Sequence, residues 1–380
     1  MKVGILTLPL WHNYGGILQA YALRQAVADL GHEAVLLDVR RPAVGRIALG
    51  ASRLKRSLRR IARDGRRAPW YPDQLELAEI SRNTRAFVLE KIQPRTSHIE
   101  IDRVMEDMSG IFDAIIVGSD QVWRREYMPD LQTYFLALPG DTPRRISYAA
   151  SLGVDDWRFD PAESELFAGS LKKFSAVSVR EDSAVELLGR ELGVNSSRVC
   201  DPTLLFDADH YRRLAETPQS YVKCAGRIFT YVLDSDSDGT TALATLVDSL
   251  GGTAFNVMPK PFGPSFRHDR DKHVFPPVEA WLRGFSDCQF VITDSFHGCV
   301  FSLIYNRPFI AVVNVERGKA RFESLLSRYG LTDRLFSSLD EVDAKALASI
   351  DWKRVNSIRA EEKQSALEFL RTALMPDPES

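Results

Sequence analysis

The sequence contains no long apolar run, no closely spaced cysteine pair and no strong excess of one charge. Within its 380 residues, no apolar stretch approaches the length of about 20 residues that a membrane-spanning helix needs. The apolar stretch at the N-terminus is too short for a signal peptide. The four cysteines have no CxxC spacing, which argues against a zinc or redox site. We therefore expect a cytoplasmic protein with reduced cysteines and no bound metal.

A formal net charge of −2 provides no field that would attract nucleic acid, so we expect no nucleic-acid partner. Hydrophobic residues make up 44% of the chain and charged residues 26%, which is typical of a globular protein. The length is sufficient for about two domains and a large core.

Strand and helix patterns alternate along the chain, and this order predicts an α/β protein with mostly parallel sheets. A first series ends near Asp201-Pro202 and a second series follows it. We therefore predict two Rossmann-like domains, residues 1–205 and 206–380, with a ligand cleft between the carboxyl ends of their sheets. A charged amphipathic helix over residues 355–374 is expected to pack back on the first domain.

Residues 40–67 interrupt the first series with eleven Arg or Lys residues and a single acid, Asp64. Leu54, Leu58 and Ile61 share one helical face, so the segment is suited to a peripheral contact with an anionic membrane. The alternative interpretation is a solvated surface helix or a flexible loop.

The segment Gln289–Phe309 is the strongest indication of function. An apolar strand, Phe290–Ile292, gives way to Thr293-Asp294-Ser295, and helical spacing resumes downstream. This pattern places His297 in the first turn of a helix, where free backbone N–H groups and the helix dipole form an anion site. An imidazole there suits general acid–base chemistry on a phosphorylated or carboxylated substrate. The alternative is a histidine whose nitrogens are satisfied in the core.

Arg180 follows another predicted strand, at a corner where a guanidinium group can hold a phosphate or carboxylate by two parallel hydrogen bonds. A structural ion pair is the alternative, and the adjacent Glu181 and Asp182 are interpreted as charges at a helix N-terminus. The turn Asp201-Pro202-Thr203 is interpreted as a rigid hinge. Three basic residues downstream can supply further cations to the same cleft: Arg317, Lys319 and Arg321.

Two other segments place small and polar groups where a ligand is expected. Residues 12–16, HNYGG, precede a predicted helix, and their glycines permit close approach of a ligand, although neither the GxGxxG nor the P-loop spacing is present. A tight turn without a ligand is the alternative. In VGSDQVW (117–123), Asp120 ends a buried strand and can bind or deprotonate a sugar hydroxyl, with capping of a following helix as the alternative.

Together these residues resemble the polysaccharide pyruvyl transferase family. The matching segments occur in order over nearly the whole chain: NYGGILQAYAL (13–23), VGSDQVW (117–123), ISYAASLG (146–153), SVRED (178–182), DPTLLFD (201–207), TDSFHG (293–298), FSLIYNRPF (301–309) and SLLSRYGLTDRL (324–335).

The resemblance implies a glycosyltransferase-B-like fold and an enzyme of exopolysaccharide biosynthesis. It implies transfer of pyruvate from phosphoenolpyruvate onto two hydroxyls of a sugar, which forms a cyclic ketal and releases phosphate without a cofactor. The acceptor is then a polysaccharide or a precursor such as a lipid-linked oligosaccharide. Such an acceptor fits a location in the cytoplasm or on the inner face of the cell membrane.

On the family's motifs, His297 takes the place of the active-site histidine and Arg180 that of a phosphoenolpyruvate-binding arginine. We expect Asp120 to be the second catalytic residue. Donor binding is also assigned to Ser295, Phe296, Gly298, Arg317, Lys319 and Arg321, and acceptor binding to Asn13, Tyr14, Gly15, Gly16, Gly118 and Ser119.

The chain departs from the family at Ser295, because members often have an arginine two residues before the histidine. The negative charge of the donor must then be met by the helix N-terminus, by Arg180 or by a basic residue among 317–321. Two other functions stay open on the same architecture. One is a nucleotide-sugar glycosyltransferase, and the other is a non-catalytic protein that binds glycans or lipid surfaces.

Overall fold

The structure is a computed structural model that describes residues 1–40, 72–104, 110–128, 130–138, 140, 142–216, 227–233, 237–313, 318–342 and 348–375. The predicted basic helix lies outside the described residues except for Arg40, and so do Arg317 and Cys224. Among the described helices, none is both long and apolar enough to cross a bilayer.

Strands and helices alternate through most of the described chain. The strands are β1 (Lys2–Leu6), β2 (Glu33–Leu36), β3 (Val39–Arg40), β4 (Ile99–Glu100), β5 (Ala114–Asp120), β6 (Arg144–Ala150), β7 (Phe174–Val179), β8 (Ser197–Arg198), β9 (Ile228–Tyr231), β10 (Ala254–Phe255), β11 (Phe290–Thr293), β12 (Phe309–Val312) and β13 (Leu335–Phe336). The α-helices are α1 (Tyr14–Asp29), α2 (Gln74–Ile80), α3 (Arg82–Lys91), α4 (Leu131–Tyr134), α5 (Pro161–Leu171), α6 (Asp182–Leu192), α7 (Ala208–Leu214), α8 (Ser237–Ser249), α9 (Val278–Asp287), α10 (Phe296–Ile304), α11 (Ala320–Tyr329) and α12 (Trp352–Leu374).

Two parallel sheets form the centre of the molecule and confirm the predicted α/β class. The first sheet has the strand order β2-β1-β5-β6-β7-β8, and the second has the order β10-β9-β11-β12-β13. Strand β5 is buried along its whole length, as expected for a parallel strand in a sheet covered on both faces. The two sheets use stretches of chain on either side of residue 205, and the exact domain boundary stays a prediction.

The carboxyl ends of the strands carry the polar residues of interest. Parallel strands end at the same edge of their sheet, which is where open α/β sheets bind ligands. Asp120 is the last residue of β5, Arg180 follows β7, and Ser295 follows β11. Topology thus places Asp120 and Arg180 at one edge of the first sheet and Ser295 at the corresponding edge of the second.

Helix α1 begins three residues earlier than the predicted start at Ile17. Asn13 is its N-cap, and its side-chain oxygen accepts a hydrogen bond from the backbone N–H of Gly16 at 3.1 Å. This cap outweighs the low helix propensity of two consecutive glycines. Gly15 and Gly16 consequently lie in the first helical turn, not in the predicted loop.

The last helix, α12, contacts the first sheet and helix α11 of the second half of the chain. The carboxylate of Glu362, which is buried, accepts hydrogen bonds from Arg198 of β8 at 2.7 Å and from Arg328 of α11 at 2.8 Å. The ring of Phe369 lies 6.3 Å from that of Tyr148 in β6. A single helix thus joins the end of the first sheet to the second half of the chain.

Candidate functional site

His297 is the second residue of α10 and lies in the first turn of that helix. Ser295 precedes the helix in an extended conformation and forms no side-chain cap. The backbone N–H groups of a first helical turn have no partner inside the helix, so they are available to a ligand at this corner. A Cβ at Gly298 would lie 2.1 Å from Oγ1 of Thr293, so only glycine fits beside His297.

The imidazole of His297 is 6% exposed and contacts the other half of the chain. Nδ1 faces Gly15 so closely that a Cβ added to Gly15 would lie 2.1 Å from it. Nε2 lies 3.5 Å from Oδ2 of Asp201, which is long for a hydrogen bond, and it has no hydrogen-bond partner within the part of the chain that the structure describes. The alternative prediction of a histidine satisfied in the core therefore does not fit this side chain.

Asp201 is the residue that faces His297, and its carboxylate is fully buried. Oδ1 accepts hydrogen bonds from the backbone N–H and the hydroxyl of Thr203, at 3.0 and 2.6 Å. Oδ2 accepts a hydrogen bond from Arg180 at 2.8 Å. Burial alone would raise the pKa of Asp201, but the interactions with His297, Arg180 and Thr203 hold it well below its usual range. The turn that the sequence suggested as a hinge thus supplies a carboxylate to the site.

Arg180 lies at the centre of the site, with its guanidinium group buried among carboxylates. Besides Asp201, it contacts Asp120 at 3.3 Å and approaches Glu181 at 4.0 Å. Burial alone would lower the pKa of Arg180, but these three carboxylates raise it. The guanidinium carbon lies 4.2 Å from the centre of the Phe296 ring, so Arg180 also stacks on the residue before His297.

Arg321, one of the three downstream basic residues predicted to supply cations, lies at the site. It is buried, with its guanidinium carbon 5.8 Å from the centre of the Phe296 ring. Burial and the neighbouring charge of Arg180 lower the pKa of Arg321 to about 10. Lys319 is exposed and pairs with Glu323 at 2.7 Å, away from this cluster of charges, while Arg317 lies outside the described residues.

Glu181 is not the exposed helix-terminal charge that the sequence suggested. It is buried at the N-cap position of α6, makes no capping hydrogen bond, and accepts one from the hydroxyl of Ser151. Burial raises the pKa of Glu181 despite the opposing charges of Arg180 and Arg321. Asp182 fits the prediction better, because its carboxylate is largely exposed and accepts a hydrogen bond from Ser324.

Asp120 does not cap a helix, because turns follow it over the described residues 121–128. Its backbone has a φ of 68°, a left-handed conformation that costs a non-glycine residue free energy. Its side chain is buried and contacts Arg180. The strained backbone thus directs a carboxylate into the site.

These side chains form one group, here called the central cluster: Asp120, Arg180, Glu181, Asp201, His297 and Arg321. Three carboxylates face two guanidinium groups and one imidazole. A small cavity with room for about one water molecule lies beside the cluster at Arg180, Asp201 and Phe296. Within the described ranges, no group of three or more His, Cys, Asp or Glu side chains is arranged to hold a metal ion.

The residues assigned to the acceptor are placed differently from one another. The hydroxyl of Tyr14 donates to the backbone oxygen of Pro276 at 2.8 Å, and the Tyr14 ring stacks on Trp281, so Tyr14 packs between the halves. Ser119 is fully buried, and its hydroxyl donates to the carbonyl of Ala149. Gly118 allows a close approach of strand β6, because a Cβ there would lie 2.1 Å from the carbonyl oxygen of Tyr148.

Only Asn13 of this acceptor set is exposed, and Gly15 and Gly16 are buried in the first turn of α1. Gly15 reaches the site through its contact with His297. The structure therefore brings together the residues assigned to catalysis and several of those assigned to the donor, whereas Tyr14, Gly118 and Ser119 have packing roles.

Asp201 and Glu181 were not predicted as members of the site. Both lie in segments that had been singled out, SVRED and DPTLLFD. The available signal was the position of each acid within three residues of a strand end, at the start of a helix or a 3₁₀-helix. Asp201 precedes the 3₁₀-helix Pro202–Leu205 and was therefore interpreted from its turn chemistry alone.

Comparison with known proteins followed these observations. A family model described as "Polysaccharide pyruvyl transferase" matches residues 13–316. No curated protein sequence matches the chain. Among solved structures, a putative UDP-N-acetylglucosamine 2-epimerase from Listeria monocytogenes superposes with a TM-score of 0.50 at 12% identity, covering 96% of this chain and 91% of the other. This similarity shows the fold, which is the two-domain glycosyltransferase-B type that the sequence predicted.

Two further solved structures show weaker similarity. UDP-GlcNAc 2-epimerase from Neisseria meningitidis has a TM-score of 0.46 at 12% identity and covers 100% of this chain and 95% of its own. MurG from Acinetobacter baumannii has a TM-score of 0.44 at 12% identity, with 97% of this chain and 98% of its own covered.

Proposed function

The chain belongs to the polysaccharide pyruvyl transferase family, and from that premise we propose that it transfers pyruvate from phosphoenolpyruvate to two hydroxyls of a sugar. The product is a cyclic pyruvate ketal on a polysaccharide or its precursor, and phosphate is released. The transferase class follows from the family, and the donor and the ketal chemistry are our proposal.

One observation carries this proposal: the buried Nε2 of His297 has no hydrogen-bond partner and faces Asp201 beside two buried guanidinium groups. A buried polar atom without a partner costs free energy, so its retention indicates a role with a ligand. The surrounding arginines suit an anion, and the imidazole suits proton transfer near neutral pH. A donor that must bind through phosphate and carboxylate and also be protonated meets both conditions.

Donor binding is assigned to Arg180, Arg321 and the first-turn N–H groups of α10. Arg321 supplies the positive charge that Ser295 lacks, because its guanidinium group lies with that of Arg180 over the Phe296 ring. The carboxylates of Asp120 and Asp201 already pair with Arg180, so the anionic donor has to compete with them. We expect the 3.3 Å contact with Asp120 to open first, since it is longer than the 2.8 Å contact with Asp201.

The reaction requires proton transfers at defined atoms. A proton adds to C3 of phosphoenolpyruvate and converts the methylene into a methyl group, while an acceptor hydroxyl bonds to C2 and loses its proton. Phosphate then departs with the electrons of its C2–O bond. The second acceptor hydroxyl bonds to C2 and loses its proton, which closes the ring and leaves one ketal and one phosphate.

His297 is the group that exchanges these protons, through Nε2. A bound dianion beside the ring favours the protonated imidazole, which can then act as the acid toward C3. Asp201 positions the ring and stabilises its charge, as its distance of 3.5 Å from Nε2 allows. Asp120, released from Arg180 when the donor binds, is the base assigned to an acceptor hydroxyl.

The proposal is tested by incubating the protein with phosphoenolpyruvate and a panel of free, nucleotide-linked and lipid-linked sugars in D₂O. We expect phosphate release only when a suitable acceptor is present, and one deuterium in the methyl group of the product. Mass spectrometry of the product reports that deuterium directly. Absence of turnover across the panel, with the protein folded, would contradict the proposal.

Binding measurements separate this function from a nucleotide-sugar glycosyltransferase. Calorimetry should detect phosphoenolpyruvate binding that weakens in Arg321→Met and is unchanged in the control Arg283→Gln. Arg283 is a residue of α9 outside the central cluster and pairs with Asp287. Tight binding of a nucleoside diphosphate without phosphoenolpyruvate binding would favour the glycosyltransferase instead.

A further inference from the structure

A second group of arginines lies at the carboxyl end of the first sheet, outside the central cluster. Asp38 follows β2, Arg40 ends β3, Arg85 lies in α3, and Arg95 lies between α3 and β4. These four residues are here called the Asp38 cluster. The assignment of donor and catalytic residues does not use them.

The Asp38 cluster carries more positive than negative charge. The buried carboxylate of Asp38 lies 2.9 Å from Arg85, 3.1 Å from Arg95 and 3.7 Å from Arg40. Among the described residues, three guanidinium groups thus share one carboxylate. Burial and the charge of Arg85 lower the pKa of Arg40, which shows that these cations are held together at a cost. An anion placed among them would relieve that repulsion.

Two of the arginines have unused hydrogen-bonding capacity. The Nε atoms of Arg40 and Arg95 are buried and have no hydrogen-bond partner among the described residues. Their side chains are nevertheless 33% and 24% exposed, so solvent or a small ligand can reach the remaining N–H groups. Guanidinium groups with free donors are the usual recognition elements for phosphate.

Trp11 connects this cluster to the candidate active site. Its ring lies 5.3 Å from the guanidinium carbon of Arg40 and 5.7 Å from that of Arg85. Arg85 also donates to the backbone oxygen of Leu10 at 3.0 Å, which fixes the segment before α1. Gly15 lies four positions after Trp11, so their Cα atoms are at most about 14 Å apart. Gly15 contacts His297, so residues 11–15 lead from the Asp38 cluster to the central cluster.

We propose that the Asp38 cluster binds the phosphate or diphosphate group of an activated sugar acceptor, with Trp11 beside the sugar. This inference rests on the proposed function, because it names the class of acceptor used by the same site. A phosphate held by Arg40 and Arg95 leaves the attached sugar to extend along residues 11–15 toward His297. The half-buried position favours a single phosphorylated molecule over a flat membrane surface.

The test uses inorganic pyrophosphate as the probe, titrated by calorimetry in low salt with saturating phosphoenolpyruvate present to fill the donor site. We expect the protein to bind pyrophosphate and phosphoenolpyruvate at the same time. The double variant Arg40→Gln/Arg95→Gln should bind pyrophosphate at least tenfold more weakly and keep its affinity for phosphoenolpyruvate. Arg283→Gln is the matched control and should bind both as the unmodified protein does.

The variant Arg40→Gln alone controls for misfolding of the double variant, since Arg40 makes no side-chain hydrogen bond among the described residues, only a 3.7 Å ion contact with Asp38 and a contact with the Trp11 ring. It should weaken pyrophosphate binding about threefold or more. The inference would be overturned if the variants bound pyrophosphate as tightly as the unmodified protein, or if phosphoenolpyruvate displaced pyrophosphate. Intact phosphoenolpyruvate binding in that case would leave the proposed function standing.

Two further arms identify the source of the phosphate. If the group belongs to an acceptor, a phosphorylated sugar should have a KM at least tenfold below that of the free sugar, and the double variant should lose this difference. Sedimentation with phosphatidylglycerol vesicles should not distinguish the double variant from the unmodified protein. Loss of vesicle binding in the variant with unchanged pyrophosphate binding would assign the cluster to lipid headgroups and refute the acceptor site.

Discussion

The central cluster and the Asp38 cluster contain the same chemical groups in opposite proportions. In the central cluster three carboxylates face two guanidinium groups and an imidazole, and every one of these side chains is almost fully buried. In the Asp38 cluster one carboxylate faces three guanidinium groups, two of which are partly exposed.

The difference indicates how each cluster would accept an anion. In the central cluster the protein's own carboxylates already pair with the guanidinium groups. An anionic ligand therefore has to displace a carboxylate, and these ion pairs must rearrange. In the Asp38 cluster positive charge is in excess, so an anion binds by addition. Binding that displaces the protein's own carboxylates suits a site where the ligand then reacts. Binding to unpaired positive charge suits a site that only holds the ligand in place.

Replacing His297 tests whether the central cluster is chemical and not only structural. We expect His297→Gln to lower kcat about 10²- to 10⁴-fold, which is the usual contribution of a positioned acid–base group. The melting temperature should change little, because Nε2 has no hydrogen bond to lose. His268→Gln, at an exposed position, is the control for the loss of a histidine. If His297→Gln leaves the rate of phosphate release unchanged, the central cluster has only a structural role.

Loss of an arginine should change the free energy of unfolding much more in the central cluster than in the Asp38 cluster. Arg180→Met leaves Asp120, Glu181 and Asp201 buried without their cation, which should lower the free energy of unfolding by about 3–5 kcal/mol. Arg95→Met removes one of three cations around Asp38 and should change it by no more than about 1 kcal/mol. Urea denaturation measures both variants. Similar losses in the two would show that charge balance does not distinguish the clusters.

Gly15 tests the connection between the clusters. A Cβ there would overlap the imidazole of His297, so Gly15→Ala should displace the ring from Asp201 and lower kcat about 10- to 100-fold. Pyrophosphate binding at the Asp38 cluster should be unaffected. Gly189→Ala is the matched control, because a Cβ at that position in α6 meets nothing within 4 Å. An unchanged kcat in Gly15→Ala would mean that the two halves separate during turnover.

Arg321 distinguishes binding from stability within the central cluster. Arg321→Met should raise the KM for phosphoenolpyruvate about tenfold, the effect of one charged hydrogen bond. The folded-state pKa of about 10 lies below the ordinary 12.5 for arginine, so the unfolded chain binds this proton more tightly and the charge costs stability at neutral pH.

Stability should therefore rise with pH as Arg321 loses its proton above about pH 10. Relative to Arg321→Met, the unmodified protein should gain stability between pH 8 and pH 10.5, measured as the difference between the urea midpoints of the two proteins. A difference that is independent of pH would show that the guanidinium charge is fully compensated in the folded state.

The sequence predicted the parallel α/β fold well because strongly apolar strands and regular helical spacing mark most elements. Helix α6 has the predicted bounds, Asp182–Leu192, since Gly193 ends it in a left-handed conformation. Helices α2, α3, α4, α7 and α11 were not predicted. Their apolar faces are short, and α11 lies beside residues that were interpreted only as a source of cations.

The members of the site were harder to predict than the fold. The position of His297 follows from a local pattern, a strand end followed by a helix start. The partnership of Asp201 with Arg180 depends on contacts between residues 21 positions apart, which no local pattern specifies. The choice of Arg321 over Lys319 depends on which face of α11 is buried, and that is decided by packing against the first half of the chain.

Glu362 has a consequence for the order in which the chain matures on the ribosome. Translation proceeds from the N-terminus, so the strand that carries Arg198 is complete long before α12 is synthesised. Until then, Arg198 and Arg328 lack the carboxylate of Glu362 that pairs with both in the finished structure, and of these two arginines Arg198 can contact Asp182. The edge of the first sheet at β8 therefore lacks its contact with α12 until translation is nearly complete. Nascent chains halted before residue 362 should be the ones that chaperones retain.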